Sequence, residues 1–451
     1  MSKLKATYPE IWNIAYPLIL GNLAWTLIGL FDTAFMGWLG EPHAAQVAQA
    51  AIGPISILYS VLFMIGFGYT RGTQILIARR MGEGNSEKVG EIVDNTIVTM
   101  ISVSLILFIL VQLYSTTFLN WIMKDQEVIV ASELFLKYRI WGVVASFVSC
   151  VFISFYSGIG NTTILTISVG FMSIINIALN YVLVFGKFGF PEMGIAGSGL
   201  ASSIAEWLSV IIMFFGVFIA HRRRHFKLFH IKKINFPLIQ HMSKVSTPLV
   251  LQSVIANGAW FLFFTYIEKM GQDKLAISSI LRQILIFVGI PVWALGSVTN
   301  TVVSNLVGQG NLPDVRMAIR RIAAMSFGMI GVQILILLII PRAILHLFTQ
   351  DMNLVEQTIP SLWVLSGALL LMSFTLIVFN AVVSVGDTTH YAIYVEGAAV
   401  FIYCIYFLGL FQIPGIQLAY VWTAEWIYWT CMLIFSIMLL KRQKVRLFTN
   451  E

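Results

Sequence analysis

The sequence predicts an all-α integral membrane protein with about twelve transmembrane helices, arranged as two six-helix lobes that are related by a parallel repeat. Three observations lead to this prediction. Of the 451 residues, 58% are hydrophobic and only 11% are charged, whereas a soluble domain carries roughly 25% charged residues. About twelve apolar runs are long enough to cross a bilayer. Short motifs also recur in the same order in both halves of the chain. These features exclude a soluble enzyme.

Each apolar run is assigned as one span, because crossing the hydrocarbon core takes about 20 residues. Glycine, proline, asparagine and arginine interrupt two of the runs, at residues 46–78 and 276–306. The N-terminus lacks the pattern of a cleaved signal peptide, so we expect the first run to be kept as a span. The predicted spans centre near Leu23, Leu62, Leu105, Phe147, Ile174, Ile211, Ile255, Ile290, Ile330, Leu370, Phe401 and Leu433.

The distribution of Lys and Arg predicts that both termini lie in the cytoplasm. With the N-terminus inside, the inside segments hold 19 basic residues and the outside loops hold five, a bias typical of cytoplasmic loops. The basic residues therefore indicate topology, and we expect no nucleic-acid partner even though the formal net charge is +7.

An internal repeat divides the chain into residues 1–220, a basic cytoplasmic linker at 221–244, and residues 245–451 with a cytoplasmic tail. Six spans per half give both halves the same orientation, and such repeats place a substrate site near the bilayer midplane and move by alternating access. The matching motifs are Tyr16-Pro17-Leu18 with Thr247-Pro248-Leu249, Met81-Gly82-Glu83-Gly84-Asn85 with Val307-Gly308-Gln309-Gly310-Asn311, Gly160-Asn161-Thr162-Thr163 with Gly386-Asp387-Thr388-Thr389, and Ala205-Glu206-Trp207 with Ala424-Glu425-Trp426.

Signatures of enzymes and metal sites are missing from the sequence. There is no GxxxxGK[ST] phosphate loop, no HExxH and no nucleophile elbow after a strand. The seven histidines lie in loops or at span ends, and the three cysteines are dispersed in apolar stretches. We expect no enzymatic activity, no metal site and no cofactor, so an ion gradient would have to supply the energy for a pump.

Asp32 is the most informative acid, because it falls within the apolar stretch Leu27-Ile28-Gly29-Leu30-Phe31-Asp32-Thr33-Ala34-Phe35-Met36. An ionised carboxylate in hydrocarbon costs at least about 2.5–3.5 kcal/mol, so it normally faces a cavity or a partner. Asn176 and Asn180 lie four residues apart, hence on one helix face, and suit either a cation or a protonatable aspartate. Helix–helix hydrogen bonding is the alternative for this pair. For Glu206 and Glu425, which occupy equivalent repeat positions, a packing role and an ion role stay open.

These residues resemble the MATE family (multidrug and toxic compound extrusion), in its DinF-type branch. The most specific segment is Gly29-Leu30-Phe31-Asp32-Thr33-Ala34-Phe35-Met36-Gly37-Trp38-Leu39-Gly40. The resemblance covers nearly the whole length and implies a V-shaped, two-lobed monomer in a bacterial inner membrane. It also implies cation-coupled efflux of amphipathic, often cationic small organic compounds.

The resemblance assigns Asp32 as the coupling carboxylate, and Asn176, Asn180 and Ser202 as the other members of an N-lobe cation site. Some family members carry a second Asp at the position of Asn180, so coupling here would depend on Asp32 alone. Spans 7 and 10 hold no acids, unlike those of the NorM branch, which argues against a C-lobe site of that kind. Trp25 and Glu206 are the candidates for the substrate cavity, although aromatic residues also form interfacial belts.

The preferred function is therefore a secondary antiporter that exchanges small organic compounds for H⁺, with Na⁺ as the second choice for the coupling ion. A flippase for lipid-linked precursors is the alternative, because Arg71, Lys137, Arg139 and Arg282 lie near spans and could hold phosphates. A membrane receptor or scaffold without transport is the third hypothesis.

Overall fold

The structure is a computed structural model that describes residues 4–37, 42–219, 222–230, 234–385 and 389–443. Within these residues the regular secondary structure is helical, and no strand occurs. Several predicted features fall partly outside them. These are the end of the first-span motif, parts of the basic linker, most of the third repeat motif in the second half (residues 386–388), and the end of the basic tail.

The described residues form helices α1 to α16 in chain order. In the first half these are α1 (Tyr8–Gly37), α2 (Pro42–Gly82), α3 (Glu87–Ile122), α4 (Gln126–Arg139), α5 (Trp141–Gly158), α6 (Thr163–Val184), α7 (Ile195–Gly216) and α8 (Arg222–Phe226). In the second half they are α9 (Phe236–Glu268), α10 (Gln272–Gly308), α11 (Leu312–Ile339), α12 (Pro341–Leu345), α13 (Met352–Ser384), α14 (Tyr391–Leu410), α15 (Leu418–Trp422) and α16 (Ala424–Arg442).

Twelve stretches of these helices are long and apolar enough to cross a membrane. They correspond one to one, and in order, with the spans predicted from hydropathy, which confirms the fold class. The two interrupted runs form single long helices, α2 and α10, each with an internal proline. The start of α9 at Phe236 lies inside the stretch that the sequence predicted as linker.

The helices α4 and α13 begin at equivalent aspartate caps. Asp125 accepts hydrogen bonds from the backbone N–H groups of Glu127 and Val128 at the start of α4, and Asp351 caps α13 in the same way. Such caps satisfy backbone donors that a helix start otherwise leaves open. The two aspartates lie 226 positions apart, so the repeat extends into the loops.

The chain divides into two compact units. The N-terminal unit comprises Tyr16–Ile77 and Asn85–Ser243. In it, α5 lies against α3 and α7 and is buried along most of its length, while α6 packs along α7. This arrangement positions one face of α6 and one face of α7 toward the interior of the unit, where the polar residues discussed below lie.

Within the described residues, the C-terminal unit comprises Met1–Ala15, Ala78–Gly84 and Lys244–Glu451. Here α13 lies against α11 and α16, and α14 packs along α16. These contacts correspond to those of the N-terminal unit, where α5 lies against α3 and α7, and α6 packs along α7. The ends of α2 and α10 cross at two glycines of equivalent motifs. A Cβ atom at Gly82 would overlap the backbone of Asn305, and one at Gly308 would overlap the backbone of Arg79. Only glycine allows such a close approach of two backbones.

Candidate functional site

Asp32 lies on α1 and accepts hydrogen bonds from two neutral side chains. The Nδ2 of Asn180 donates to its Oδ1 at 2.8 Å, and the hydroxyl of Ser202 donates to its Oδ2 at 3.0 Å. Both carboxylate oxygens are therefore engaged, and neither donor carries a charge. The structure brings together these three predicted residues, although they are separated by up to 170 positions in sequence.

Asn176 completes the cluster from one turn earlier on α6. Its Nδ2 donates to the hydroxyl of Ser202 at 3.0 Å, and its Oδ1 accepts from Asn180 Nδ2 at 3.2 Å. Asn176, Asn180 and Ser202 are each at most 5% exposed. The Oδ1 of Asn180 is buried and makes no hydrogen bond. We call Asp32, Asn176, Asn180 and Ser202 the Asp32 cluster. The oxygen atoms of this cluster belong to a carboxylate, two amides and a hydroxyl. One of them, the Oδ1 of Asn180, accepts no hydrogen bond.

Three side chains at seven-residue spacing on α6 hold α1 in register. Thr166 donates its hydroxyl to the carbonyl of Pro17 at 2.8 Å, and Ser173 donates to the carbonyl of Ala24 at 3.5 Å. Seven residues further along α6, Asn180 makes the hydrogen bond to Asp32. Residues seven apart face the same side of a helix, so this row fixes the position of α1 against α6 over about four turns. Because Asp32 lies on α1, this row of contacts also sets the position of its side chain against α6.

A buried ion pair lies in the same unit, between α4 and α7. Arg139 binds Glu206 through two parallel hydrogen bonds, Nη2 to Oε1 at 2.7 Å and Nη1 to Oε2 at 3.1 Å. The hydroxyl of Tyr59 donates to Oε2 at 2.6 Å, and the guanidinium stacks 3.5 Å from the centroid of the Tyr59 ring. Gly142 makes room for this pair, since a Cβ there would overlap both charged groups. The pair is almost fully enclosed, and Arg139 also interacts electrostatically with Asp32.

Trp25 and Glu206, the two residues predicted for a substrate cavity, both line one small cavity of the N-terminal unit. Trp25 is 40% exposed and its ring lies 5.0 Å from that of Phe63, which also lines the cavity. Glu206 is 6% exposed and reaches the cavity while paired with Arg139. The cavity is therefore bordered by aromatic rings on one side and by a neutralised ion pair on another.

A metal centre is not indicated by the geometry. Among the residues that the structure describes, no group of three or more His, Cys, Asp or Glu side chains is placed to hold a metal ion. The Asp32 cluster supplies one carboxylate and neutral amide and hydroxyl groups, a set that suits a proton or a monovalent cation.

Comparison with known proteins identifies the family. The MatE family model matches residues 17–182 and 248–407, which is most of the chain and both of its halves. The chain belongs to the MatE family. Its members are transporters, so this MatE protein is a multi-pass membrane transporter and not an enzyme. Its assignment to the DinF-type branch stays a prediction.

Relatives of this MatE protein include two that are described as probable multidrug resistance proteins. NorM of Thermotoga maritima is 24% identical over 351 residues, which cover 77% of this chain and 73% of NorM. YoeA of Bacillus subtilis is 23% identical over 358 residues, covering 77% of this chain and 75% of YoeA.

Solved structures show the same fold. The Vibrio cholerae MATE transporter VcmN matches with a TM-score of 0.87 at 15% identity, over 96% of this chain and 97% of VcmN. A MOP-superfamily transporter from Pyrococcus furiosus matches with a TM-score of 0.86 at 16% identity, over 97% and 95% of the two chains.

Sequence reasoning did not anticipate the partner of Glu206 in this MatE protein. Arg139 was grouped with basic residues that could hold lipid phosphates, and Tyr59 was not considered. A signal was present, because a buried glutamate requires a compensating partner and Arg139 lies at the end of a helix that precedes a span. The sequence alone, however, does not show which of several basic residues faces α7.

Proposed function

We propose that this MatE transporter is a secondary antiporter that exports small amphipathic, often cationic organic compounds by alternating access in exchange for protons, with Asp32 as the coupling carboxylate. The names of the relatives support multidrug export. The observation that carries the coupling proposal is the setting of Asp32. It is a carboxylate in a spanning helix that neutral groups hold by both oxygens, while the nearby guanidinium of Arg139 is bound bidentately to Glu206.

This setting makes the charge of the Asp32 cluster depend on a proton. Partial burial of Asp32 disfavours the ionised carboxylate, whereas the two donors favour it. The cation in the same unit, Arg139, is already paired with Glu206. Protonation of Asp32 changes the charge of the cluster by one and requires its donors to rearrange. For example, the protonated carboxyl can donate to the unsatisfied Oδ1 of Asn180 if the amide turns. Such a rearrangement of α1 against α6 and α7 would couple proton binding to helix movement.

Sodium is the second candidate for the coupling ion, and one observation favours keeping it. If the Asn180 amide rotates, its Oδ1 joins the oxygens of Asp32, Asn176 and Ser202 as potential cation ligands. Both donors to Asp32 would then have to turn away from the carboxylate. A proton requires only the Asn180 amide to turn, while Ser202 keeps donating to Oδ2, and this is why we place it first.

Efflux of ethidium from proteoliposomes tests the proposal. A pH gradient and a Na⁺ gradient are imposed separately on the wild type, on Asp32→Asn, and on Asp273→Asn as a matched control at an exposed position. We expect pH-driven efflux in the wild type and in the control, and none in Asp32→Asn. Unchanged efflux in Asp32→Asn would exclude this carboxylate as the coupling group, and efflux driven only by Na⁺ would change the ion.

The remaining parts of the proposal concern location and assembly. We infer a bacterial inner membrane with both termini in the cytoplasm, from the basic loops and from the bacterial sources of the relatives. The transporter is proposed to work as a monomer in the lipid bilayer, without a cofactor other than the coupling ion. Reporter fusions at the C-terminus test the orientation, since an extracellular reporter signal would reverse it.

The flippase alternative has lost one of its supports. It required basic side chains available for phosphate groups, and the charge of Arg139 is neutralised by Glu206. Accumulation of a lipid-linked precursor after deletion of the gene is the result that would bring this alternative back.

A further inference from the structure

The C-terminal unit contains two glutamates that are completely buried on neighbouring spanning helices. Glu396 lies on α14 and Glu425 at the start of α16, and each is 0% exposed. The sequence places both glutamates within spans and finds no acid in Leu251–Ile267 or Leu362–Ser384, the apolar parts of α9 and α13. The acids that these two helices do carry, Glu268 and Glu356, lie outside those stretches and are exposed.

Glu396 is held as an acceptor by both of its carboxylate oxygens. The Nε2 of Gln252 on α9 donates to Oε2 at 2.8 Å, and the hydroxyl of Tyr428 on α16 donates to Oε1 at 2.6 Å. Two short bonds from fixed donors favour the ionised form of a carboxylate. Glu396 therefore has a built environment for a negative charge.

Glu425 has a different environment. The hydroxyl of Tyr403 on α14 donates to its Oε1 at 3.3 Å, and its Oε2 is buried without any hydrogen-bond partner. The Nε1 of Trp429, one turn further along α16, lies close to this carboxylate, although no hydrogen bond of good geometry joins them. Glu425 therefore has one long hydrogen bond and no charged donor, in contrast to Glu396.

The internal repeat shows what Glu425 lacks. Glu206 occupies the equivalent position in the N-terminal unit, where Arg139 neutralises it. At the offset of 226 positions that relates the two capping aspartates, Arg139 corresponds to Leu365, a buried apolar residue. Within the described residues, no Lys or Arg side chain forms an ion pair with Glu425. The C-terminal unit therefore has the equivalent glutamate, Glu425, but not the arginine that pairs with Glu206.

Charged groups on the surrounding helices lie too far toward the surface to replace it. The other uncharged titratable groups on these two helices, besides the tyrosines already named, are Tyr391, Tyr394, Cys404 and Tyr406 on α14, and Cys431 on α16. The charged side chains of the helices that pack here are all exposed, and they are Lys244 and Glu268 on α9, Glu356 on α13, and Lys441 and Arg442 on α16. A buried carboxylate that has neither a positive partner nor, unlike Glu396, two short hydrogen bonds is costly when ionised.

A proton satisfies this site better than a metal cation does. A bound proton removes the charge of Glu425 and turns Oε2 into a hydroxyl, whereas a sodium ion needs several oxygen ligands. The described neighbours of this carboxylate are mostly aromatic. They offer the Tyr403 hydroxyl as an oxygen and the rings of Tyr428 and Trp429.

We propose that Glu425 is a proton-binding site of the C-terminal unit, separate from the Asp32 cluster, with Glu396 as a neighbour that accepts hydrogen bonds at both carboxylate oxygens. The proposal does not depend on the coupling role of Asp32, because proton binding by Glu425 can be measured without transport. In a transport cycle, this site would add a second titratable carboxyl group to the protein.

Infrared difference spectroscopy on the purified full-length protein in liposomes tests the proposal. Spectra recorded at acidic and alkaline pH report the carbonyl stretching bands of protonated carboxyl groups. We expect one such band to be lost in Glu425→Gln and kept in Asp32→Asn, and Glu356→Gln, at an exposed position, to keep them all. Tyr403→Phe should shift the Glu425 band, since it removes the hydrogen bond to Oε1 without touching the carboxyl group.

Three results would overturn the assignment. The first is an unchanged set of bands in a monodisperse Glu425→Gln protein. The second is loss of the band in Glu396→Gln with no change in Glu425→Gln, which would move the proton to the other acid. The third is disappearance of the band when NaCl replaces choline chloride at constant pH, because sodium would then compete for the carboxylate. Should Glu425→Gln not fold, the response of the band in Tyr403→Phe decides in the same way.

Discussion

Separating Arg139 from Glu206 is expected to destabilise the protein far more than removing both. Their side chains are 13% and 7% exposed and share two hydrogen bonds. Two opposite charges 4 Å apart attract each other by about 4 kcal/mol at an effective dielectric constant of ~20. Removing one partner of such a pair leaves a buried, uncompensated charge and typically costs 3–5 kcal/mol.

We therefore expect Glu206→Leu and Arg139→Met each to lower the free energy of unfolding by about 3–5 kcal/mol. The double variant Arg139→Met with Glu206→Leu has no buried charge, and it should be at least as stable as either single variant. Tyr59→Phe removes one hydrogen bond to a carboxylate and should cost about 1.5–3 kcal/mol.

Equilibrium unfolding in detergent, followed by circular dichroism, measures these differences as a double-mutant cycle. Glu356→Gln is the control, because it breaks an ion pair with Arg342 that is exposed on both sides and should change stability little. If the double variant loses the sum of the two single losses, the two side chains act independently. That result would refute the reasoning from the buried pair.

Three further predictions concern single contacts. Gly82→Ala places a methyl group against the backbone of the crossing helix and should abolish monodisperse protein on size-exclusion chromatography. Gly53→Ala, where a Cβ meets nothing within 4 Å, should not, and a normal Gly82→Ala profile would contradict the crossing. Ser202→Ala removes a donor worth about 1.5 kcal/mol to Asp32, so pH-driven efflux should fall about tenfold, and an unchanged rate would separate Ser202 from the site. Asp94→Ala removes the acceptor of two linker amides, so deuterium exchange of those amides should accelerate, and unaltered exchange would exclude this clamp.

The fold could be predicted because hydropathy identifies each spanning helix separately from the others. Every spanning helix needs its own apolar run, so twelve runs give twelve helices without any knowledge of how these pack. Whether a helix continues through an internal proline was harder to predict. The interruptions around Pro54 and Pro291 suggested weak spans, but α2 and α10 continue through them as single helices.

The Asp32 cluster could be anticipated because Asn176 and Asn180 share a helix face by their spacing, and because the first-span motif resembles the family. The register of α6 against α1, which brings Asn180 to Asp32, could not be predicted. It depends on the row of Thr166, Ser173 and Asn180 against the carbonyl groups of α1, and hydroxyl-to-carbonyl bonds leave no pattern in hydropathy. Pairing across helices, as in Arg139 with Glu206, is likewise a property of packing.

The reciprocal bonds between α14 and α16 bear on how the chain enters the bilayer during its synthesis. Each of these helices carries a buried glutamate, and an ionised side chain at the centre of an inserting helix costs several kcal/mol. The tyrosine that donates to each carboxylate belongs to the other helix. Neither segment brings its own partner, so we expect the two to leave the insertion machinery together as a hairpin, joined by the short loop between Leu410 and Leu418. The second segment of the pair would then supply the hydrogen-bond donor that the first one lacks.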